Sequence, residues 1–219
     1  MVGQPTQWAD LIDEMVPQIL NLVIASWQQM PAPDADEGED RITVRLCRLL
    51  KQNRTARDLM FTIHTQSVEL DPRNGQGVGR LDIAFFPSRV SREDIYFGLE
   101  AKRLNVAKDG KTRAYATEYV KFGMMRFVTG QYSKAVRHGG MIAYVLDGNV
   151  LRAIRNVEAN IRRHGTALRM KPPGAFLPSA AIKNDRVRET HHRRVGESRL
   201  FRIHHLFMTH WDGSPHHAR

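Results

Sequence analysis

The hydrophobic period of this chain changes partway along, and that change limits the folds open to it more than any other feature. Between residues 6 and 29, Trp8, Leu11, Ile12, Met15, Ile19, Leu20, Leu22, Val23 and Trp27 recur at helical spacing. Pro17 is expected to kink this helix or to start a second one. Residues 31–38 read as a loop. A shorter amphipathic helix follows over about 39–53, with Ile42, Leu46, Leu49 and Leu50 on one side and an acidic start that suits the positive end of the helix dipole.

From Phe61 the period becomes two, as side chains alternating across a sheet require. Residues 61–65, 81–86 and 95–102 read as strands. The glycine-rich Asp71–Gly79 stretch, with its Asn-Gly pair, reads as the turn between the first two. Tyr115, Tyr119, Phe122 and Met125 then give an apolar stripe for a helix over 115–137. Residues 139–146 are apolar throughout, as in a buried strand. Residues 149–164 form a basic helix, 175–198 look polar and irregular, and 200–207 read as a last strand. The order α-α-β-β-β-α-β-α-β predicts an α/β fold, a mixed central sheet flanked by helices. Residues 1–38 are expected to form an acidic helical arm, 39–165 the core, and 166–219 a basic, His-rich extension ending in the strand.

Charge is distributed unevenly. The formal net charge is +10, yet residues 1–40 carry eight acids and no Lys or Arg. The rest of the chain holds all 33 bases against 15 acids, a balance that favours phosphate-rich partners such as nucleic acid. Cys47 is the sole cysteine, so neither an intramolecular disulfide nor a cysteine-built zinc site is available. No apolar run is long enough to span a membrane and no signal peptide is read, so a cytoplasmic location is expected. The glycine segment lacks a P-loop ending. The C-terminal histidines, among them His191, His192, His204, His205, His210, His216 and His217, lack His-Glu-x-x-His spacing and read as strand-face and tail residues. No Gly-x-Ser-x-Gly elbow occurs.

Asp82, Glu100 and Lys102 carry the chemistry. Asp82 interrupts an apolar strand. Glu100 and Lys102 stand two apart in the next strand and so share a face. Antiparallel pairing sets Asp82 opposite Glu100. Two carboxylates and an ammonium among Phe97, Leu99 and Ala101 are costly unless they serve a function. Carboxylate oxygens suit Mg²⁺, and a lysine nearby can orient water or stabilise phosphate charge.

At these residues, Gly79-Arg-Leu-Asp82 followed by Glu100-Ala-Lys102, the chain resembles the PD-(D/E)XK nuclease superfamily, with Leu81 where the family has proline. The element order of residues 39–146 is similar to that family's core, so the resemblance covers about half the chain. It implies a restriction-endonuclease-like fold and a Mg²⁺-dependent nuclease, Mn²⁺ substituting, acting on DNA in bacterial restriction or anti-phage defence. It implies that Asp82 and Glu100 bind the metal and that Lys102 positions or activates water. It also implies an acid on the first core helix that joins Asp82 and Glu100 at the metal, Glu39 with Glu37 and Asp40 as alternatives, and polar residues on the later helix, among Glu118, Lys121, Arg126 and Gln131-Tyr132. Arg126, Arg152, Arg155, Arg162 and Arg163 are the candidate nucleic-acid contacts. The rival readings are a catalytically weak module that binds nucleic acid or a partner protein, and a subunit whose acidic arm docks on another copy or on an operon-encoded partner. On the nucleic-acid reading, affinity for duplex DNA falls steeply with salt. Replacing Arg162 and Arg163 by Ala is expected to flatten that slope in a salt titration; an unchanged slope moves the phosphate contacts elsewhere.

Overall fold

A computed structural model describes residues 5–70, 77–88, 90, 92–108 and 110–210. The proposed turn at 71–76, the Trp8 side chain, His216 and His217 lie outside the described residues. Two N-terminal helices, α1 (Pro5–Gln29) and α2 (Glu39–Ala56), precede β1 (Phe61–Leu70), β2 (Gly77–Pro87) and β3 (Phe97–Leu104). A small hairpin, β4 (Val106–Lys108) and β5 (Lys111–Arg113), leads to a short composite helix: α3 (Ala116–Glu118), a π-helical turn (Tyr119–Met124) and α4 (Met125–Val128). Then come β6 (His138–Val145), α5 (Val150–Arg163), β7 (Leu177–Pro178), β8 (Val187–His192) and β9 (Phe201–Met208).

Seven strands form one mixed sheet in the order β1-β2-β3-β6-β9-β8-β7. β3, β6 and β9 run parallel at its centre, and the remaining neighbours pair antiparallel. Helices cover both faces. On one, Ile12, Ile19 and Val23 of α1 and Ile42, Leu46 and Leu50 of α2 pack against Ile83, Phe85, Leu99, Ala101, Ile142 and Leu206. On the other, Tyr119, Met124 and Phe127 join Ala153, Val157 and Ile161 of α5 over Ala84, Met141, Ala143 and Phe207. β6 is buried along its whole length, which explains its unbroken apolar run. The first-face core takes side chains from α1 to β9, so the expected arm and the final strand both pack into it.

Four expectations need correcting. Pro17 lies inside one helix, so it does not start a second one, the other alternative being a kink. The helix expected over 115–137 ends at Val128, and Gly130 and Ser133 beyond it have positive φ (77° and 54°). Its apolar stripe also shifts. A π turn holds one residue more than an α turn and so rotates the rest of the helix about its axis. The residues buried are Tyr119, Val120, Gly123, Met124, Phe127 and Val128, while Phe122 stands 58% exposed. Lastly, 175–198 is not irregular throughout, because β7 and β8 lie there. β8 escaped notice because polar side chains fill its buried positions. Thr190 Oγ1 lies 2.7 Å from His192 Nε2 and 2.8 Å from His205 Nε2, and His205 Nδ1 lies 2.9 Å from the Tyr119 hydroxyl.

Arg194, counted in sequence among the basic residues of the C-terminal part, is 4% exposed. Its guanidinium donates to the carbonyls of Phe127 (2.7 Å), Ser133 (2.8 Å) and Tyr132 (2.9 Å) and lies 3.4 Å from the centre of the Phe201 ring. The Phe127 and Ser133 carbonyls also accept the N–H groups of Gly130 and Val136, so Arg194 reinforces the end of α4 and the loop beyond it. Burial lowers its pKa to about 10, so it stays charged near neutrality. Arg194→Ala removes three charge-assisted bonds and the contact with the Phe201 ring, and is expected to cost about 2–4 kcal/mol of stability in urea unfolding. A loss below about 1 kcal/mol would show that the loop holds itself.

Candidate active site

The ladder between β2 and β3 pairs Phe85 with Phe97, Ala84 with Gly98 and Ile83 with Leu99, and there it stops. The next step would set Asp82 against Glu100. Instead the Asp82 side chain reaches across, and its Oδ2 accepts the Ala101 N–H at 2.7 Å. On the other side of β2, Thr65 pairs with Ile83 and Ser67 with Leu81. Gln66, between them, has a left-handed backbone (φ 53°), a conformation rare outside glycine and frequent at functional sites. The sheet is thus irregular on both sides of Asp82.

Glu100 is 1% exposed. Its Oε1 accepts from Lys102 Nζ at 3.0 Å and from Arg126 Nη1 at 2.9 Å. Its Oε2 is buried with no hydrogen-bond partner among the described residues. Burial, and then the Asp82 charge, push the Glu100 pKa up to about 7 against the opposing pull of Lys102 and Arg126. Burial also raises that of Asp82; the Ala101 N–H and Lys102 offset this in part, while Glu39 and Asp40 add to it.

Lys102 donates to Glu39 Oε1 (2.8 Å), Glu100 Oε1 (3.0 Å) and the Ala101 carbonyl (2.6 Å). Burial works against its ammonium, but Glu100, Glu39 and Asp82 outweigh burial and hold its pKa above the ordinary lysine value. Glu39 comes from the first turn of α2, and its Oε2 accepts the Arg103 N–H at 2.9 Å. That turn is pinned to β6. Thr43 Oγ1 donates to the Glu39 carbonyl (2.9 Å), so the Tyr144 hydroxyl, 3.0 Å away, is the donor to Thr43. Glu37 turns instead to Arg45 at 2.6 Å, and Asp40 is exposed. Of the three acids near the start of α2, Glu39 is the one held against the lysine.

On the opposite wall, Arg126 Nη1 also donates to the Tyr132 hydroxyl (2.8 Å), which in turn donates to the Arg80 carbonyl (2.8 Å). Tyr132 thereby ties the strand that bears Asp82 to the helix that bears Arg126. A Cβ on Gly79 would lie 2.3 Å from Gln131 Nε2 and 3.0 Å from the Tyr132 oxygen, so any larger residue there must displace the end of the Gln131 side chain. Gly123 plays the same part in the π turn, where a Cβ would strike Met141 Cε at 2.3 Å and sit 3.9 Å from Glu100 Cγ.

The structure therefore brings together Asp82, Glu100, Lys102, Glu39 and Arg126. Arg152, Arg155, Arg162 and Arg163 lie elsewhere, on the face of α5 opposite its buried Ala153, Val157 and Ile161. Arg152 is paired with Asp147, and Arg162 with Glu158 at 3.1 Å. A pocket of about 320 Å³ opens beside Lys102, lined by Glu39, Lys102, Arg103, Tyr115, Glu118 and Phe122. A larger groove of about 590 Å³ along β1 and β2 has Glu93 and Asp94 among its described lining residues and none of the five. Among the described residues no set of three or more His, Cys, Asp or Glu forms a ready metal cage, and no helix is long and apolar enough to cross a membrane. Comparison with family models, with curated proteins and with solved structures finds no match to this chain.

Glu100 gives a pH signature of its own. Its folded pKa, about 7, exceeds the ordinary 4.5, so the native state holds a proton that the unfolded chain has released. Wild-type stability in chelator is therefore expected to fall relative to Glu100→Gln as pH rises from about 4.5 to 7, and then to level off. Denaturant titrations of both proteins across pH 4–8 test this; a pH-independent difference would mean that Glu100 ionises as in water.

Proposed function

We propose that this chain is a Mg²⁺-dependent nuclease of the PD-(D/E)XK type, with a restriction-endonuclease-like core, acting on DNA. One observation carries the reading: Asp82, Glu100 and Lys102 share one site in the sheet, and a buried oxygen of Glu100 has no hydrogen-bond partner among the described residues. An orphaned buried carboxylate oxygen is expensive, and a hard cation is the partner such an oxygen takes most readily. The donor set fits Mg²⁺, which is commonly held by one or two carboxylates with waters and substrate phosphates completing the shell. Asp82 and Glu100 would hold it; both Glu39 oxygens are engaged by Lys102 and Arg103. Bound there, the ion would polarise a phosphoryl oxygen and acidify a water.

The chain's own residues supply the rest. Lys102, with its pKa raised, remains an ammonium near neutral pH and acts as a donor that positions water or stabilises charge on the phosphate. Glu39 and Glu100 fix the direction of that ammonium. Arg126, 34% exposed at its side chain, offers further N–H donors toward a phosphate.

The test separates binding from turnover. Asp82→Asn and Glu100→Gln are expected to abolish Mg²⁺- or Mn²⁺-dependent cleavage and to weaken metal binding in calorimetry. Asn at 82 can still accept the Ala101 N–H, so folding survives. Lys102→Ala is expected to keep metal affinity, and DNA affinity measured in Ca²⁺, while turnover falls by roughly two or more orders of magnitude. Cleavage at the wild-type rate by Lys102→Ala would reduce the trio to a salt-bridged strand face. No cleavage of any nucleic acid by the wild type would favour the binding module.

A further inference from the structure

Phe122 is the residue that the helix period assigns to the core and the structure puts outside. Three positions after Tyr119, it would share the Tyr119 face of an ordinary α-helix. The π turn inserts its extra residue here, so Tyr119 and Gly123 pack inward over β6 and Glu100 while Phe122 stands 58% exposed. The exposed ring is not stray surface. It lines the same pocket as Lys102, and Tyr115 lines it too. π turns of this kind occur often at functional sites.

The pocket's chemistry narrows the occupant. Its cations are Lys102 and Arg103 and its anions are Glu39 and Glu118. Lys102 is already shared between Glu39 and Glu100. With little net charge of its own, the pocket suits a neutral, flat, apolar-faced group rather than a phosphate. At about 320 Å³ it lies at the small end of the range for ligand pockets, about 300–1,000 Å³. The phosphate belongs next door, at Lys102 and the two carboxylates. A flat group one step from a phosphate is a nucleobase, and aromatic faces hold bases by stacking, whatever the sequence.

We propose that Tyr115 and Phe122 form a stacking subsite for one unpaired nucleobase beside Lys102. The chain then prefers strands in which the nucleotide next to the scissile phosphate is single-stranded or can be turned out of a duplex. This rests on the nuclease reading for the position of the phosphate. A fully paired base cannot enter, because its faces are covered by its neighbours in the stack.

The probe is a single-stranded oligonucleotide carrying 2-aminopurine, compared with a blunt duplex of the same sequence, both in Ca²⁺ so that binding is read without cleavage. Phe122 is exposed, so Phe122→Ala should fold normally, which circular dichroism checks; Phe122→Trp keeps a stacking face. The wild type is expected to quench the fluorophore and to bind the single strand. Phe122→Ala is expected to lose about tenfold or more in single-strand affinity, the scale of one stacked base, with duplex affinity nearly unchanged and Phe122→Trp restoring binding. Equal single-strand affinity in wild type, Phe122→Ala and Tyr115→Ala overturns the subsite, as does an equal loss on duplex and single strand. Phe122-dependent binding without Mg²⁺-dependent cleavage supports the subsite and overturns only the nuclease. Cleavage that is indifferent to Phe122 does the reverse.

Discussion

A carboxylate that is 1% exposed sets the terms for this molecule. Burying an ionised Glu100 is tolerable only with cations at hand, and Lys102 and Arg126 both direct theirs at Oε1. Each cation then needs holding. Lys102 is steadied by Glu39 from the first turn of α2, which Thr43 and Tyr144 fix to β6. Arg126 is steadied by Tyr132, whose own carbonyl is gripped by the buried Arg194. Both layers of helices are thus recruited to one residue in the centre of the sheet. Truncating one partner of such a set leaves a buried charge uncompensated, which costs far more than the pair is worth when intact.

The legible part of the sequence came from period two. Strand alternation alone puts Glu100 and Lys102 on one face, and the antiparallel hairpin brings Asp82 close to them, although the ladder stops one step short of pairing it with Glu100, so the trio could be named without coordinates. Its supports were less visible. Glu39 stood out only as an acid at a helix start, a position the dipole favours in any case. Arg126 and Tyr132 meet because the chain turns back after Val128, and a six-residue separation carries no periodic signal. Phe122 was misassigned because a π turn leaves no mark in hydrophobic spacing; the nearest cue was Gly123, where the helix must approach β6 closely.

The C-terminal part was misread for a different reason. Hydropathy assigns polar residues to the surface, yet His192, His204 and His205 are buried, as are Glu189, Thr190 and Arg194. Hydrogen bonds help them tolerate the interior, Thr190 with His192 and His205, His204 with His138, and Glu189 with the Ala180 N–H, and burial lowers the pKa values of His192, His204 and His205 so that they remain neutral. The formal charge count consequently overstates the cation surface offered to a partner: Arg194 is internal, and Arg137 pairs with Asp10 and Asp13 of its own α1.

Asp82 contributes to the sheet as well as to the site. Where the main chain of β2 ceases to pair, its carboxylate takes over and satisfies the Ala101 N–H that a backbone carbonyl would otherwise serve. On the proposed reading the same carboxylate answers two demands, one of chemistry and one, through Oδ2, of architecture. A descendant of this chain would be held to a hydrogen-bond acceptor at position 82 by the sheet alone. Another short acceptor such as Asn could stand there, whereas an apolar residue would leave the Ala101 N–H open, so drift at this position is confined to a narrow chemical class.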